Sequence, residues 1–392
     1  MKNIPLSIPN FIGKEKEYVL DAVNSAWVST GGSYITRFEN DIAKYLNVES
    51  AAAVQSGTAG IHLGLKLLNV GVGDEVIVPT LTFIAAVNPV KYLGAEPVFM
   101  DCDDSLNMDA NKLESFLKNE CEVTNRGVKN KNTGKIIKAI VIVHVFGNMA
   151  NMEDLIDLAD KYNLKVLEDA TEALGTKYTS GKYNGKFAGT IGDMGVYSFN
   201  GNKIITTGGG GMIVSKDDTL VEKARYLSTQ AKDDPLYYIH NEIGYNYRMT
   251  NLQAALGVAQ LEQLEKFIEI KMRNYNLYKE LISEIEGLSL LEFRENTRPN
   301  YWFYSLVIDK EKYGLDRDGI LKRLKENGIE TRPIWYLNHL QKPFKNNYSY
   351  KIEKAIYYWE RVLNIPCSTN LTKEDIKYIV DKLKSIGGKI WK

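Results

Sequence analysis

Lys138-Ala-Ile-Val-Ile-Val-His-Val-Phe146, the segment Met152 to Tyr162 and the run Leu164-Lys-Val-Leu-Glu-Asp169 together decide the fold. The first and third read as apolar strands, the first rich in β-branched residues, and the second has helical spacing. A strand that is apolar at every position, rather than at alternate ones, is buried on both faces, as in a mainly parallel sheet covered by helices. The same alternation extends outward in both directions. Strands are expected at Ala51 to Gln55, Glu75 to Pro79 and Pro97 to Asp101, with helices over Thr58 to Leu68 and about Ile84 to Leu93. Two more strands, Asp193 to Phe199 and Gly210 to Ser215, follow. Seven strands with intervening helices make an α/β domain, and in such sheets ligands bind at the carboxyl ends of the strands.

Ahead of the first strand, Glu15 to Ala26 and Phe38 to Leu46 read as helices on either side of a Gly-rich break. Lys118 to Gly134, with Arg126, Lys129 and Lys131, reads as a solvated basic insertion, and Thr179 to Thr190, with three glycines, as a mobile loop. From Thr250 the pattern changes. Asn251 to Glu286 reads as one long helix stopped by Gly287. A strand (Tyr301 to Ile308), a helix (Arg317 to Asn327), an aromatic Pro-containing loop (Thr331 to Phe344) and two helices (Ile352 to Val362, Lys373 to Lys384) complete the chain. The pattern predicts two domains: residues 1–250, carrying the sheet, and residues 251–392, a linking helix and a smaller α+β unit.

Composition narrows the function. Hydrophobic residues are 44% and charged residues 25% of the 392 residues, as in ordinary soluble globular proteins. Lys+Arg and Asp+Glu balance at 49 each, so no overall field favours nucleic acid or an anionic membrane. The three cysteines form no CxxC and fit a reducing compartment, and the four histidines lack metal-ligand spacing. The N-terminus has no signal-peptide pattern, and Ala139 to Phe146 is too short to span a bilayer, so a cytoplasmic protein is expected.

The expected strand ends carry the chemistry. One delivers Asp169 and, just beyond it, Glu172. Another delivers Ser198 and then Asn200-Gly-Asn-Lys203, which runs on into Gly208 to Gly211. The first strand ends at Gln55-Ser56-Gly57-Thr58-Ala59, which opens a helix whose N-terminus suits a phosphate. Pro79 leads to Thr82 and Phe83. Each feature has an ordinary structural counterpart: a hairpin that happens to carry a lysine, an Asp N-cap, a common small-residue turn, a core phenylalanine. At one edge of one sheet they make up an amine nucleophile, a carboxylate, a phosphate cradle and a flat ring. Those are the needs of a phosphorylated pyridine aldehyde, with Lys203 forming a Schiff base, Asp169 keeping the ring nitrogen protonated and Phe83 stacking on the ring.

These residues, with Trp27-Val-Ser-Thr-Gly31, Phe38-Glu39, Glu168-Asp-Ala170, Ala173-Leu-Gly175, Gly244-Tyr-Asn246-Tyr-Arg248-Met and Thr331-Arg332, resemble the DegT/DnrJ/EryC1/StrS sugar aminotransferases over nearly the whole chain. The resemblance implies the fold-type I architecture of pyridoxal-phosphate transferases. It implies that Lys203 moves the proton between substrate and cofactor, and that Ser56, Gly57, Thr58 and Ser198 bind the phosphate. Asn246 would reach that phosphate from a partner subunit, giving a homodimer with shared sites. Glu172 departs from the Gln or His that many members place near the cofactor's 3-oxygen, and its role stays open. Members with histidine in place of the lysine act as sugar dehydratases, and Lys203 argues against that outcome. Tyr336 and His339 are candidates for sugar or nucleotide contacts, with packing of the small domain as the alternative. Ser198 to Thr207 is most similar to enzymes of the bacillosamine and legionaminic acid branch. The resemblance therefore implies transfer of the amino group of L-glutamate to C4 of a UDP-linked 4-keto-6-deoxy-N-acetylhexosamine. A GDP- or dTDP-linked keto sugar, of the perosamine or 3-amino type, is the alternative.

Overall fold

The seven expected strands all form in the computed structural model, which describes residues 2–387. Met1 and residues 388–392, the extreme ends of the two expected domain ranges, lie outside the described residues. The strands are Ala51–Val54 (β1), Asp74–Pro79 (β2), Glu96–Met100 (β3), Ile136–Val143 (β4), Lys165–Asp169 (β5), Met194–Ser198 (β6) and Gly211–Ser215 (β7). They join one sheet in the order β1-β7-β6-β5-β4-β2-β3. β6, β5, β4, β2 and β3 are mutually parallel, while β7 is antiparallel to both of its neighbours. The continuous apolar runs arise because both faces are covered. Val141, Leu167, Val196 and Ile213 point into one core, and Ile140, Val166, Tyr197 and Met212 point into the other. Among the described residues no helix is long and apolar enough to cross a membrane.

Three departures from the sequence reading concern the large sheet and the helices around it. Lys118 to Gly134 is not a solvated loop. It contains a hairpin, Cys121–Thr124 with Gly127–Asn130, that pairs with β4, and Ser349–Tyr350 adds a parallel strand beyond β3, making ten in all. Val128 is buried, and buried Asn130 donates to buried Glu75 at 3.0 Å, so this insertion is anchored by a polar pair that charge-rich composition conceals. Ile84 to Leu93 is broken into the short turn Ile84–Ala86 and the helix Asn88–Tyr92. Pro89 can occupy only the first turn of a helix, so the helix restarts there. Asn251 to Glu286 is two helices, Asn251–Leu261 and Leu264–Ile282. The first packs on Glu15–Asn24 and Ser33–Leu46, and the second on Lys373–Ile386 and the strand Leu288–Leu290, so they serve different neighbours.

A second, antiparallel sheet contains Leu288–Leu290, Tyr304–Ile308, Val362–Ile365 and Arg332–Pro333. Two devices tie it to the rest of the chain. The N-terminal segment runs beside it, with Ile4 bridged to Ile329 and the Cys367 N–H donating to the Leu6 carbonyl at 2.8 Å. Asp101, one residue past β3 and fully buried, accepts N–H bonds from Glu353, Lys354 and Ala355 at the start of helix Lys354–Arg361, and a 2.6 Å bond from Lys112.

Candidate active site

The lysine sits on a loop closed at its base by Phe199. The Phe199 N–H donates to the Gly210 carbonyl and the Phe199 carbonyl accepts from Thr207 N–H, each at 2.9 Å. The fully buried Phe199 ring packs on Phe38, 4.9 Å between centroids. Asn200-Gly-Asn turns the chain, with the Lys203 N–H donating to the Asn200 carbonyl, and the buried Ile204 and Ile205 anchor the far side. The Lys203 backbone is therefore fixed from both directions, and its side chain is only 12% exposed.

The amine lies near both a carboxylate and an indole. Lys203 Nζ is 3.5 Å from Glu172 Oε1 and 4.0 Å from the centroid of Trp302, which comes from the C-terminal region. Glu172 Oε2 accepts the Phe146 N–H at 2.8 Å. Burial pushes the Glu172 carboxyl up to about 7, against the opposing charge of Lys203. Asp169 is likewise held above the usual carboxylate range by burial, offset in part by bonds from Thr171 and by the charge of Lys203. Its Oδ1 accepts the Thr171 N–H at 3.1 Å, and turns rather than a helix follow it, so Asp169 is not a helix N-cap.

The residues expected to bind a phosphate converge as well. Ser56 caps helix Gly57–Leu67, accepting the Ala59 N–H at 3.1 Å. A Cβ on Gly57 would fall 2.9 Å from Thr171 Cγ2 and 3.0 Å from Ser198 Cβ, so the helix start, the turn after Asp169 and the end of β6 meet in one cup. Gly211 at the head of β7 passes so close behind it that a Cβ there would lie 2.7 Å from the Ser56 carbonyl carbon. Thr58 lies in the first turn of that helix, whose N–H groups have no intrahelical acceptor. Phe83 stands 54% exposed beyond the end of β2, not in the core.

The remaining candidates lie at the margins. Asn246 is exposed; the neighbouring Tyr247 carbonyl accepts from Gln55 N–H and Arg248 pairs with buried Glu39, which fixes this segment beside β1. His339 Nδ1 is 2.7 Å from Thr80 Oγ1, and burial lowers its pKa. Tyr336 is half-exposed and meets Trp359 edge-on at 5.4 Å.

Several residues of the site were not singled out by sequence. Trp302, Phe146 and Trp335 form an aromatic wall, with Phe146 and Trp335 stacked at 4.6 Å. Asn300, fully buried, donates to the Glu172 and Leu174 carbonyls and accepts the Trp302 N–H, which sets the turn that aims Trp302. Under Asp169, His144 Nδ1 accepts the Ala150 N–H at 3.1 Å, which leaves the proton on Nε2 to donate to Glu168 at 2.9 Å. Burial opposes ionisation of Glu168, but bonds from His144 and the Gly192 and Gly189 N–H groups outweigh it and hold its pKa low. Adjacent parallel strands in register were the only signal for this pair.

An enclosed amine, a buried carboxylate at the adjoining strand end, and a glycine-lined helix N-terminus fit a phosphorylated pyridine aldehyde. Fold and site together define a pyridoxal-phosphate-dependent transferase of fold type I. Residues 10–384 match the DegT/DnrJ/EryC1/StrS aminotransferase family, and the chain belongs to it, as a pyridoxal-phosphate-dependent sugar aminotransferase. It is 38% identical to the GDP-perosamine synthase of Escherichia coli O157:H7 over 384 residues, 98% of each chain. It is also 38% identical to that of Vibrio cholerae, over 97% of this chain and 98% of the other. The crystal structure of DesI in the presence of its TDP-sugar product aligns with a TM-score of 0.86 at 27% identity, covering 99% of this chain and 94% of that one.

Proposed function

We propose that this protein moves the amino group of L-glutamate onto the C4 ketone of a nucleotide-linked 4-keto-6-deoxy sugar, acting in the cytoplasm as a homodimer. The observation that carries this reading is the enclosed Lys203 amine, at the same sheet edge as Asp169 and the Gly57 helix start. Pyridoxal phosphate, when bound, supplies the electron sink through which an amino group passes from donor to acceptor. Lys203 would move the proton at the substrate carbon, in one direction for glutamate and in reverse for the sugar. Asp169 would hold the proton on the ring nitrogen. Ser56, Gly57, Thr58 and Ser198 would bind the phosphate, Phe83 would cover the ring, and Trp302 and Phe146 would keep water from the amine. Exposed Asn246 lies near an exposed apolar arm, Leu236, Tyr237, Tyr238 and Ile243, and a second copy seated on that arm would bring Asn246 to its phosphate.

Two sugars compete. The Asn200-Gly-Asn-Lys203 motif supports a UDP-linked acetamido sugar. The GDP-perosamine synthases among the relatives support a GDP-linked sugar of the perosamine type. Incubation with glutamate and a panel of UDP-, GDP- and dTDP-linked 3-keto and 4-keto sugars, followed by mass analysis, separates them. Amination of one 4-keto sugar is expected, and loss of water from the sugar without consumption of glutamate would overturn the transaminase reading. Lys203→Ala should abolish amination while the fold is retained, and near wild-type turnover by that variant would do the same.

A further inference from the structure

The family resemblance leaves the role of Glu172 open, and its geometry is specific. Its two carboxylate oxygens are committed to different partners: Oε2 to the Phe146 N–H at 2.8 Å, Oε1 toward Lys203 Nζ at 3.5 Å. Its backbone is held by Asn300 Nδ2, which donates to the Glu172 carbonyl at 2.9 Å. Phe146 is held in turn, buried with φ of 56° and stacked on Trp335. Glu172 therefore cannot swing away from the amine without breaking these contacts. The Trp302 indole lies 4.0 Å from Nζ, centroid to nitrogen. The other titratable group facing Glu172 is Asp169, and His144 faces Asp169 from the adjacent strand end.

We propose that Glu172 is the positioning residue of Lys203 and the temporary holder of its proton. The proposal rests on the reading of Lys203 as the catalytic amine. In the step, one N–H bond of the Lys203 ammonium breaks and an O–H bond forms on Glu172 Oε1. The ion pair becomes a neutral amine and a carboxylic acid, and no electrons are transferred to any third group. A glutamine at this position could accept a hydrogen bond from the ammonium but could not take its proton. Burial raises the Glu172 carboxyl to about 7, against the charge of Lys203, which makes it a better proton acceptor than an exposed carboxylate.

The test is the pH profile of Lys203 acylation. Full-length wild type, Glu172→Gln and Glu172→Asp are loaded with pyridoxamine phosphate, so that the Lys203 amine is free. Each is then pulsed with trace acetic anhydride over a range of pH. Labelling of the Lys203 peptide is read by mass spectrometry against exposed Lys310. Loss of the neighbouring carboxylate in Glu172→Gln should move the labelling midpoint down by roughly one pH unit or more. Glu172→Asp should shift it in the same direction by less. A Glu172→Gln profile superimposable on wild type, in protein with an unchanged circular dichroism spectrum, overturns the proposal. If the glutamine variant does not fold, an unshifted Glu172→Asp profile does so. Borohydride reduction of the pyridoxal-phosphate-loaded protein tests the underlying reading separately: cofactor fixed to another lysine removes Lys203 from its role, whatever the Glu172 profiles show.

Discussion

Replacing Trp302 with leucine should slow the glutamate half-reaction about fivefold to thirtyfold, and the size of the effect follows from where the ring sits. The Lys203 amine lies 4.0 Å from the indole centroid, well inside cation–π range. Trp302 is 3% exposed and the Lys203 side chain 12%, so the pair sits toward the desolvated end of the range, worth about 1–2 kcal/mol. Leucine cannot hold the amine against Glu172 in this way, and the lost orientation becomes an added barrier in every cycle. Phenylalanine keeps a ring face and gives up the indole N–H bond to the Asn202 carbonyl, 2.7 Å long, so its rate should fall less than about threefold. The turn itself should survive both changes. Asn300 and Lys271 grip its backbone, Lys271 Nζ donating to the Trp302 carbonyl at 2.8 Å. The assay is single-turnover absorbance after mixing the loaded enzyme with L-glutamate, with thermal unfolding as the control for folding. A folded leucine variant that reacts at the wild-type rate refutes the reasoning. A phenylalanine variant as slow as leucine would move the effect from the ring face to the N–H bond.

Gly211→Ala should weaken cofactor binding at least about tenfold, since its Cβ would meet the Ser56 carbonyl and lie 2.9 Å from Gly57 N, displacing the phosphate cup; a fluorescence titration yielding wild-type affinity counts against a phosphate there. Asp101→Asn should cost about 3 kcal/mol at neutral pH, by disrupting a buried carboxylate with one lysine and several backbone donors. Burial opposes ionisation of Asp101, but the bonds from Lys112 and from the Glu353, Ala355 and Lys354 N–H groups hold its pKa below the ordinary value. Its contribution is therefore fully present above the pKa of an unfolded aspartate and is lost as pH falls through the lower folded value. The gap in thermal stability between wild type and variant should be constant from neutral pH down to the ordinary aspartate range and close below it. A gap that instead widens in acid would refute this assignment.

The sheet was legible because its strands are buried on both faces, which writes apolar runs such as Ala139 to Val143 into most of them. That Lys203 and Asp169 share an edge was legible for a related reason: parallel strands end at a common edge, so residues just past those ends are neighbours whatever their separation in sequence, whereas the contact of Glu172 with Lys203 shows only in the structure. Trp302 follows no such rule. It falls in the strand expected over Tyr301 to Ile308, but φ at Tyr301 is 55° and the strand begins only at Tyr304. The cause is Asn300, whose buried amide is satisfied by carbonyls of the Glu172 turn in the first sheet's domain. A bend imposed by a partner so distant in the chain leaves no local periodicity. The hairpin within Lys118 to Gly134 is hard to read for the opposite reason: its strands, Cys-Glu-Val-Thr and Gly-Val-Lys-Asn, are four residues each and partly exposed, too short for an alternation to show amid the surrounding charge.

This separation also explains why the chemistry is easier to read than the substrate. Lys203, Asp169, Glu172 and the Gly57 helix start all lie at or just beyond strand ends at the edge of one sheet, so the fold itself brings them together. The proposed sugar contacts hang elsewhere. Tyr336 and His339 lie on the loop between Arg332–Pro333 and Ser349–Tyr350, and Tyr336 rests on Trp359, whose carbonyl is held by Arg317. Replacing Tyr336 would leave the lysine socket intact, because the backbone and rings that build that socket come from Phe146, Asn300, Trp302 and Trp335. If Tyr336 contacts the sugar nucleotide, Tyr336→Ala should raise KM for that substrate several-fold, within the roughly 1–3 kcal/mol a single contact supplies, and leave the glutamate half-reaction at its wild-type rate. An equal loss in both half-reactions would place Tyr336 in the architecture of the lysine socket and remove it from the sugar site.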